Sequence, residues 1–109
     1  MWAQLSSVRV KEGKADVVGS AMEHLRTFEQ PESGLLRTIV MQDQNDPARM
    51  FVLVVFESEE KARVRENDPR RQAGVQRLRT ILAEVLEAAP EYVDLNVIAD
   101  LVPPQGPGA

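Results

Sequence analysis

The 109-residue chain contains no cysteine. Disulfides, thiolate nucleophiles and cysteine-ligated zinc or iron–sulfur centres are therefore excluded. It has a single histidine, His24, so no histidine pair is available to grip a metal, and a single tryptophan, Trp2. No window approaches the roughly 18 uninterrupted apolar residues of a membrane span. The opening MWAQLSSVRV lacks a basic segment followed by a long apolar core, so no signal peptide is expected. A glycine-rich phosphate loop and a nucleophile elbow are also missing. Positive charge is in deficit: the formal net charge is -4 and the pI is near 5.0. Nucleic acid is not an expected partner, because phosphate contacts need clustered Lys and Arg. The one arginine-rich stretch holds Arg63, Arg65, Arg70, Arg71, Arg77 and Arg79, interleaved with Glu59, Glu60, Glu66 and Asp68. It reads as a solvated helical face of mixed charge. The expectation is a cytoplasmic protein with no membrane, nucleic-acid, metal or cofactor partner.

Hydrophobic residues make up 43% of the chain, enough for one domain with one modest core. Residues Trp2 to Val10 alternate loosely and read as a strand. Glu12-Gly13-Lys14 breaks it. From Ala15 to Gln30, Val17, Val18, Ala21, Met22, Leu25 and Phe28 recur at helical spacing, and Pro31 and Gly34 end the pattern. Leu35–Gln44 and Arg49–Glu57 are two further strands, joined through the turn cluster QNDPA as a hairpin. Ser58 is a good helix N-cap for a short helix reaching Glu66, and Asp68-Pro69 starts another. The stripe Val75, Leu78, Ile81, Leu82, Val85, Leu86, Ala89 predicts a helix that Pro90 stops. Tyr92 to Val102 reads as the last strand. The domain spans residues 1–102, and PPQGPGA at 103–109 reads as a disordered tail. Strand, helix, strand, strand, helix, strand is the split β-α-β, ferredoxin-like order of an α+β protein with a four-stranded antiparallel sheet.

The third strand contains MFVLVVFE. Alternation puts Phe51, Leu53 and Val55 on one face and Met50, Val52, Val54 and Phe56 on the other. Right-handed crossovers place both helical segments on the same side of the sheet, so one apolar face is left bare. Contiguous apolar patches of that size mark an interface. The expected cover is a second copy, giving a homodimer in which two sheets form a dimeric α+β barrel.

Four segments carry a resemblance: the opening strand running into VKEGKAD, the hairpin QDQNDPARMFVLVVFES, its continuation ESEEKARVRENDPRRQ, and a final amphipathic helix followed by a strand. Together they resemble the antibiotic-biosynthesis-monooxygenase-like family of dimeric α+β barrels over roughly residues 1–102. The resemblance implies a cofactor-independent monooxygenase acting on a flat apolar phenol- or quinol-type molecule held between sheet and helices. The alternative is a non-catalytic dimeric barrel that binds a small hydrophobic ligand. Haem-degrading members place an iron-ligating His after the third strand. ENDPRRQAG has none, which disfavours haem chemistry here.

Candidate site residues follow. His24 lies at the border of the first helix's apolar stripe, as a pocket-edge general base or as a half-wet boundary residue. Trp2 is a stacking platform for a flat ligand or a packing residue at the dimer interface. Arg37, inside an apolar strand, binds an anionic substrate group or pairs with Asp94 or Asp100 at the rim. Asn67 and Tyr92 complete the polar substrate-binding set, Asn67 doubling with Asp68 as a cap, and Gln4 is similar in kind. Asp94, Asn96 and Asp100 share a strand face and read as solvated rather than as cation ligands.

Overall fold

The structure, a computed structural model, describes residues 1–104. Its elements are β1 (Trp2–Arg9), α1 (Ala15–His24), β2 (Leu35–Gln42), β3 (Arg49–Phe56), α2 (Glu59–Glu66), α3 (Gln72–Val85) and β4 (Glu91–Asn96). The strands pair antiparallel in the order β2-β3-β1-β4. This is the α+β, ferredoxin-like sheet that the element order implies.

Local chemistry accounts for most boundaries. Gly13 turns the chain out of β1 with a φ of 75°, a left-handed conformation in which a Cβ is strained. The α-helical turns of α1 tighten into a 3-10 segment over Leu25–Phe28, which occupies the rest of the helical pattern. Ser58 caps α2, its hydroxyl accepting from the Lys61 N–H at 3.2 Å. Asp68 accepts from the Arg70 N–H at 2.9 Å, and Pro69 opens a 3-10 turn that runs into α3.

Two elements stop short of their sequence patterns. The stripe continues to Ala89, yet α3 ends at Val85. There Leu86 turns extended and bridges Val10, with Lys11 N–H donating to the Val85 carbonyl and Glu87 N–H to the Arg9 carbonyl. The end of β1 captures the chain, and Leu86 is buried through that bridge. The last strand ends at Asn96 rather than Val102. Its partner β1 begins at Trp2, directly opposite Asn96. Val97 N–H still reaches the Met1 carbonyl, but beyond that no strand is left to pair with. Residues 97–104 have no regular structure, and Ile98 is 96% exposed. The tail expected at 103–109 lies outside the described residues from 105 onward.

The registers sort side chains into two faces. Towards the helices the cross-strand rows are Val40–Val52–Ser6–Tyr92, Thr38–Val54–Gln4–Asp94 and Leu35–Phe56–Trp2–Asn96. Val8, Val10 and Met50 at one end of this face pack with Val18 of α1 and with Val85 and Leu86. Trp2 and Phe56 at the other end pack with Ala62 of α2. The core is thus two buried clusters with the middle rows between them. The opposite face carries Met41–Phe51–Ser7–Glu91, Ile39–Leu53–Leu5–Val93 and Arg37–Val55–Ala3–Leu95. No helix covers it.

Candidate functional site: a cavity between sheet and helices

The middle rows of the helix-facing side are not filled by the helices. A cavity of about 560 Å³ lies there. Its floor includes Val40, Val52 and Val54 from β2 and β3, and Gln4, Ser6 and Tyr92 from β1 and β4. Gly19 and Met22 of α1 and Leu78 and Leu82 of α3 roof it. The apolar stripe of α3 therefore supplies the roof as well as the core. A volume of this order, lined about equally by apolar and by polar or charged residues, is enough for a small organic molecule. A depression of similar size, about 570 Å³, lies at the sheet end beside Lys11, Glu12 and Gly13. Those residues are exposed positions between β1 and α1.

One end of the cavity is ionic. Arg65 of α2 grips Glu29 with both the Nε and Nη2 sides of its guanidinium, at 2.9 and 2.6 Å. This bidentate pair is largely shielded from solvent. Burial works against the Glu29 charge, but the hydrogen bonds and positive charge of Arg65 outweigh it and hold the carboxyl below its ordinary value. Beside the pair sits Arg71, only 7% exposed. Its Nη1 donates weakly to the Arg65 carbonyl at 3.4 Å, and its Nε is enclosed with no acceptor. The guanidinium stacks over the Phe28 ring at 5.7 Å. Burial, then the like charge of Arg65, push it below its ordinary value, although a guanidinium stays charged.

On the β4 side, Gln4 donates from Nε2 to Asp94 at 3.0 Å, and Arg63 donates to the other Asp94 oxygen at 2.9 Å. Gln4 and Arg63 together hold the Asp94 carboxyl below its ordinary value. Arg63 also pairs with Glu59 and Glu66 and lies over the Trp2 ring at 5.0 Å. The strand face carrying Asp94 is therefore tied into ion pairs rather than merely solvated.

The sequence candidates separate on this geometry. Tyr92 lies at the cavity, 63% exposed at its mouth, and Gln4 lies on its floor. His24 does not reach it. It is exposed on the outer flank of α1 beside Ser20 and Thr27, edge-on to Phe28. Trp2 faces the helices, not the bare face, and is 5% exposed against Phe56. It belongs to the core cluster with Phe56 and Ala62 and is not among the residues lining the cavity. Arg37 lies exposed on the bare face near Asp100, and Asp94, one of its expected partners, is engaged by Arg63 on the other side of the sheet. Asn67 caps the end of α2, its amide donating to the Arg63 carbonyl, and is exposed. None of the cavity's charged residues, Glu23, Arg26, Glu29, Arg65, Arg71 and Arg79, stood among the sequence candidates. Arg71 is buried rather than on a solvated face. Its spacing held the signal: positions 71, 75, 78 and 82 continue the apolar stripe of α3 back by one turn. Among the described residues no acidic or histidine cluster has the makings of a metal site. None of the described helices is long and apolar enough to cross a membrane.

A four-stranded antiparallel sheet with helices on one face and a cavity between them defines the class: a ferredoxin-like α+β protein. The chain belongs to the antibiotic biosynthesis monooxygenase family, whose sequence model matches residues 1–77. Among solved structures, a Nitrosomonas europaea protein carrying the family's name is similar at 17% identity and TM-score 0.70, over 91% of this chain and all of its own. A Chloroflexus aurantiacus protein named for the same family matches at 18% identity and TM-score 0.70, over 93% of this chain and 96% of its own. A Nitrosomonas europaea protein of unknown function matches at 17% identity and TM-score 0.69, over 95% of each chain. Likeness at this identity speaks for the fold alone. No curated protein matches the chain significantly.

Proposed function

We propose that the protein is a cofactor-independent monooxygenase that takes a flat, apolar, phenol- or quinol-type molecule into the cavity between sheet and helices. The observation that carries this reading is the cavity itself: about 560 Å³, walled by Val, Leu and Met, with Gln4 and Tyr92 on one side and the Arg65–Arg71 end on another. A planar ring lies against the valine floor. Gln4, whose Nε2 is committed to Asp94, keeps its amide oxygen for a substrate hydroxyl. In the net reaction a phenol and O2 give a quinone and water. One oxygen atom enters the ring, the other leaves as water, and the substrate supplies all four electrons.

A second copy covers the bare sheet face in this reading. Leu5, Ile39, Phe51, Leu53, Val93 and Leu95 form a continuous apolar surface across all four strands, and a two-fold partner presents the same surface in return. The family's barrel arises from two such sheets.

One observation favours the non-catalytic alternative, a dimer that only binds a hydrophobic ligand. The cavity has no histidine, and its partly buried carboxylate, Glu29, is engaged at both oxygens by Arg65. No general base stands ready within it. Oxygen uptake by purified protein with a panel of naphthoquinols and hydroxynaphthalenes under air separates the readings. The monooxygenase consumes oxygen in proportion to enzyme. A thermal upshift with ligand but no uptake assigns a binder, and neither response refutes both.

A further inference from the structure

We infer that the cavity is selective for an aromatic acid: a flat apolar ring bearing one carboxylate, which docks on Arg71. This rests on the cavity being the ligand site and deepens that reading by naming the group that orients the substrate.

Two independent observations carry it. The first is charge placement. The chain as a whole has a formal net charge of -4. The cavity lining reverses that sign, with Arg26, Arg65, Arg71 and Arg79 set against only Glu23 and Glu29. An acidic protein that concentrates cations in one concave site focuses a field that attracts anions. The second is the state of Arg71. Arg26 pairs with Glu23, and Arg65 is satisfied by Glu29. Arg71 is more than nine-tenths buried, forms no ion pair among the described residues, and has an enclosed Nε without an acceptor. A buried cation in no direct ion pair, favoured only by the more distant charges of Glu29, Asp68 and Glu66, is costly to the fold, and a hydrophobic residue in its place is commonly neutral or stabilising. Packing on Phe28 does not require a charge, since a methionine side chain would fill the same space. The missing partner is an acceptor with negative charge.

The remaining walls restrict its nature. The valine floor and the leucine and methionine roof offer an apolar body surface to pack on, while Gln4, Ser6, Thr38 and Tyr92 can meet its polar substituents. Arg71 is the buried guanidinium without an ion pair (Arg79, also unpaired among the described residues, is exposed), and it suits a carboxylate whose planar oxygens match its N–H groups. Arg65 and Glu29 act as positioning residues. Their bidentate pair neutralises one of the two adjacent guanidiniums and fixes the carbonyl against which Arg71 rests.

The test is calorimetric titration of the full chain at pH 7 and low salt with a matched pair of probes, 6-hydroxy-2-naphthoate and 6-hydroxy-2-naphthamide. The acid is expected to bind at least tenfold more tightly. Arg71→Met is expected to abolish that preference while leaving the amide's affinity within threefold of wild type, and to hold or raise the urea midpoint. Arg71→Lys keeps a charge and is expected to retain part of the preference, which makes it the second variant if the first folds poorly. Equal binding of both probes to wild type overturns the inference but leaves the cavity as a ligand site. Binding of neither overturns the ligand site as well. A preference that survives Arg71→Met, or tighter binding of 2-naphthyl phosphate than of the acid, overturns the assignment of a carboxylate to Arg71.

Discussion

Adjacent residues of β3 face opposite ways, and an aspartate at each should fail for a different reason. Val52 points to the helices and is 6% exposed. Val52→Asp removes about 2 kcal/mol of apolar burial and puts a carboxylate into the row Val40–Val52–Ser6–Tyr92, which offers it no ion-pair partner, at a further cost of several kcal/mol. The sum approaches the roughly 5–15 kcal/mol that a domain has in total, so the expected result is an unfolded or molten protein. Leu53 lies on the bare face between Leu5 and Ile39 and opposes no helix. In an isolated protomer Leu53→Asp should cost only about 1 kcal/mol. In a two-fold dimer the change occurs twice in one interface. At about 2 kcal/mol of lost burial per copy, dissociation is favoured by roughly 4 kcal/mol, or about a thousandfold. Sedimentation velocity reads the assembly state and circular dichroism with urea reads the fold. Wild type is expected to sediment as a dimer, Leu53→Asp as a folded monomer, and Val52→Asp to lose its cooperative transition. A wild-type monomer at micromolar concentration, or a Leu53→Asp chain as unfolded as Val52→Asp, would refute the division of the sheet into a core face and a partner face.

Two further outcomes test the packing around the cavity. A Cβ at Gly74 would stand 2.4 Å from the Phe28 ring, so Gly74→Ala must displace the ring on which Arg71 stacks. Overpacking of about 1–3 kcal/mol is expected to exceed the helix-propensity gain of about 1 kcal/mol, and a raised urea midpoint would contradict the close approach of α3 to that ring. The lowered pKa of Glu29 fixes the direction of an acid effect. Its contribution to stability is fully present above the ordinary carboxyl value of 4.5 and is lost as pH falls through the lower folded value. Arg65→Met should therefore flatten the dependence of the urea midpoint on pH below about 4.5, and an unchanged slope would place the acid sensitivity elsewhere.

Sequence patterns carry the elements here because each is written locally. Ser58 and Asp68 are caps that act on N–H groups two or three residues away. The alternation in Arg49–Phe56 and the stripe through Val75, Leu78 and Leu82 need only the periods of strand and helix. Element order with right-handed crossovers then implies which face is covered, without any side-chain coordinates. Patterns fail where a partner distant in sequence decides the outcome. Nothing near Leu86 or Val97 says that a strand some 80 or 90 residues earlier will capture the one and run out beneath the other. The site residues behave in the same way. His24 and Asn67 drew notice by chemical type, but the rotation of α1 and the end of α2 turn both away from the cavity. Arg71 seemed one charge among six, until the packing of its turn against Phe28 and Arg65 buried it. Periodicity along the chain thus determined the strands, the helices and the two-faced sheet. Only the tertiary structure decided which polar groups share an enclosed volume, because that depends on distances between elements that no local period encodes.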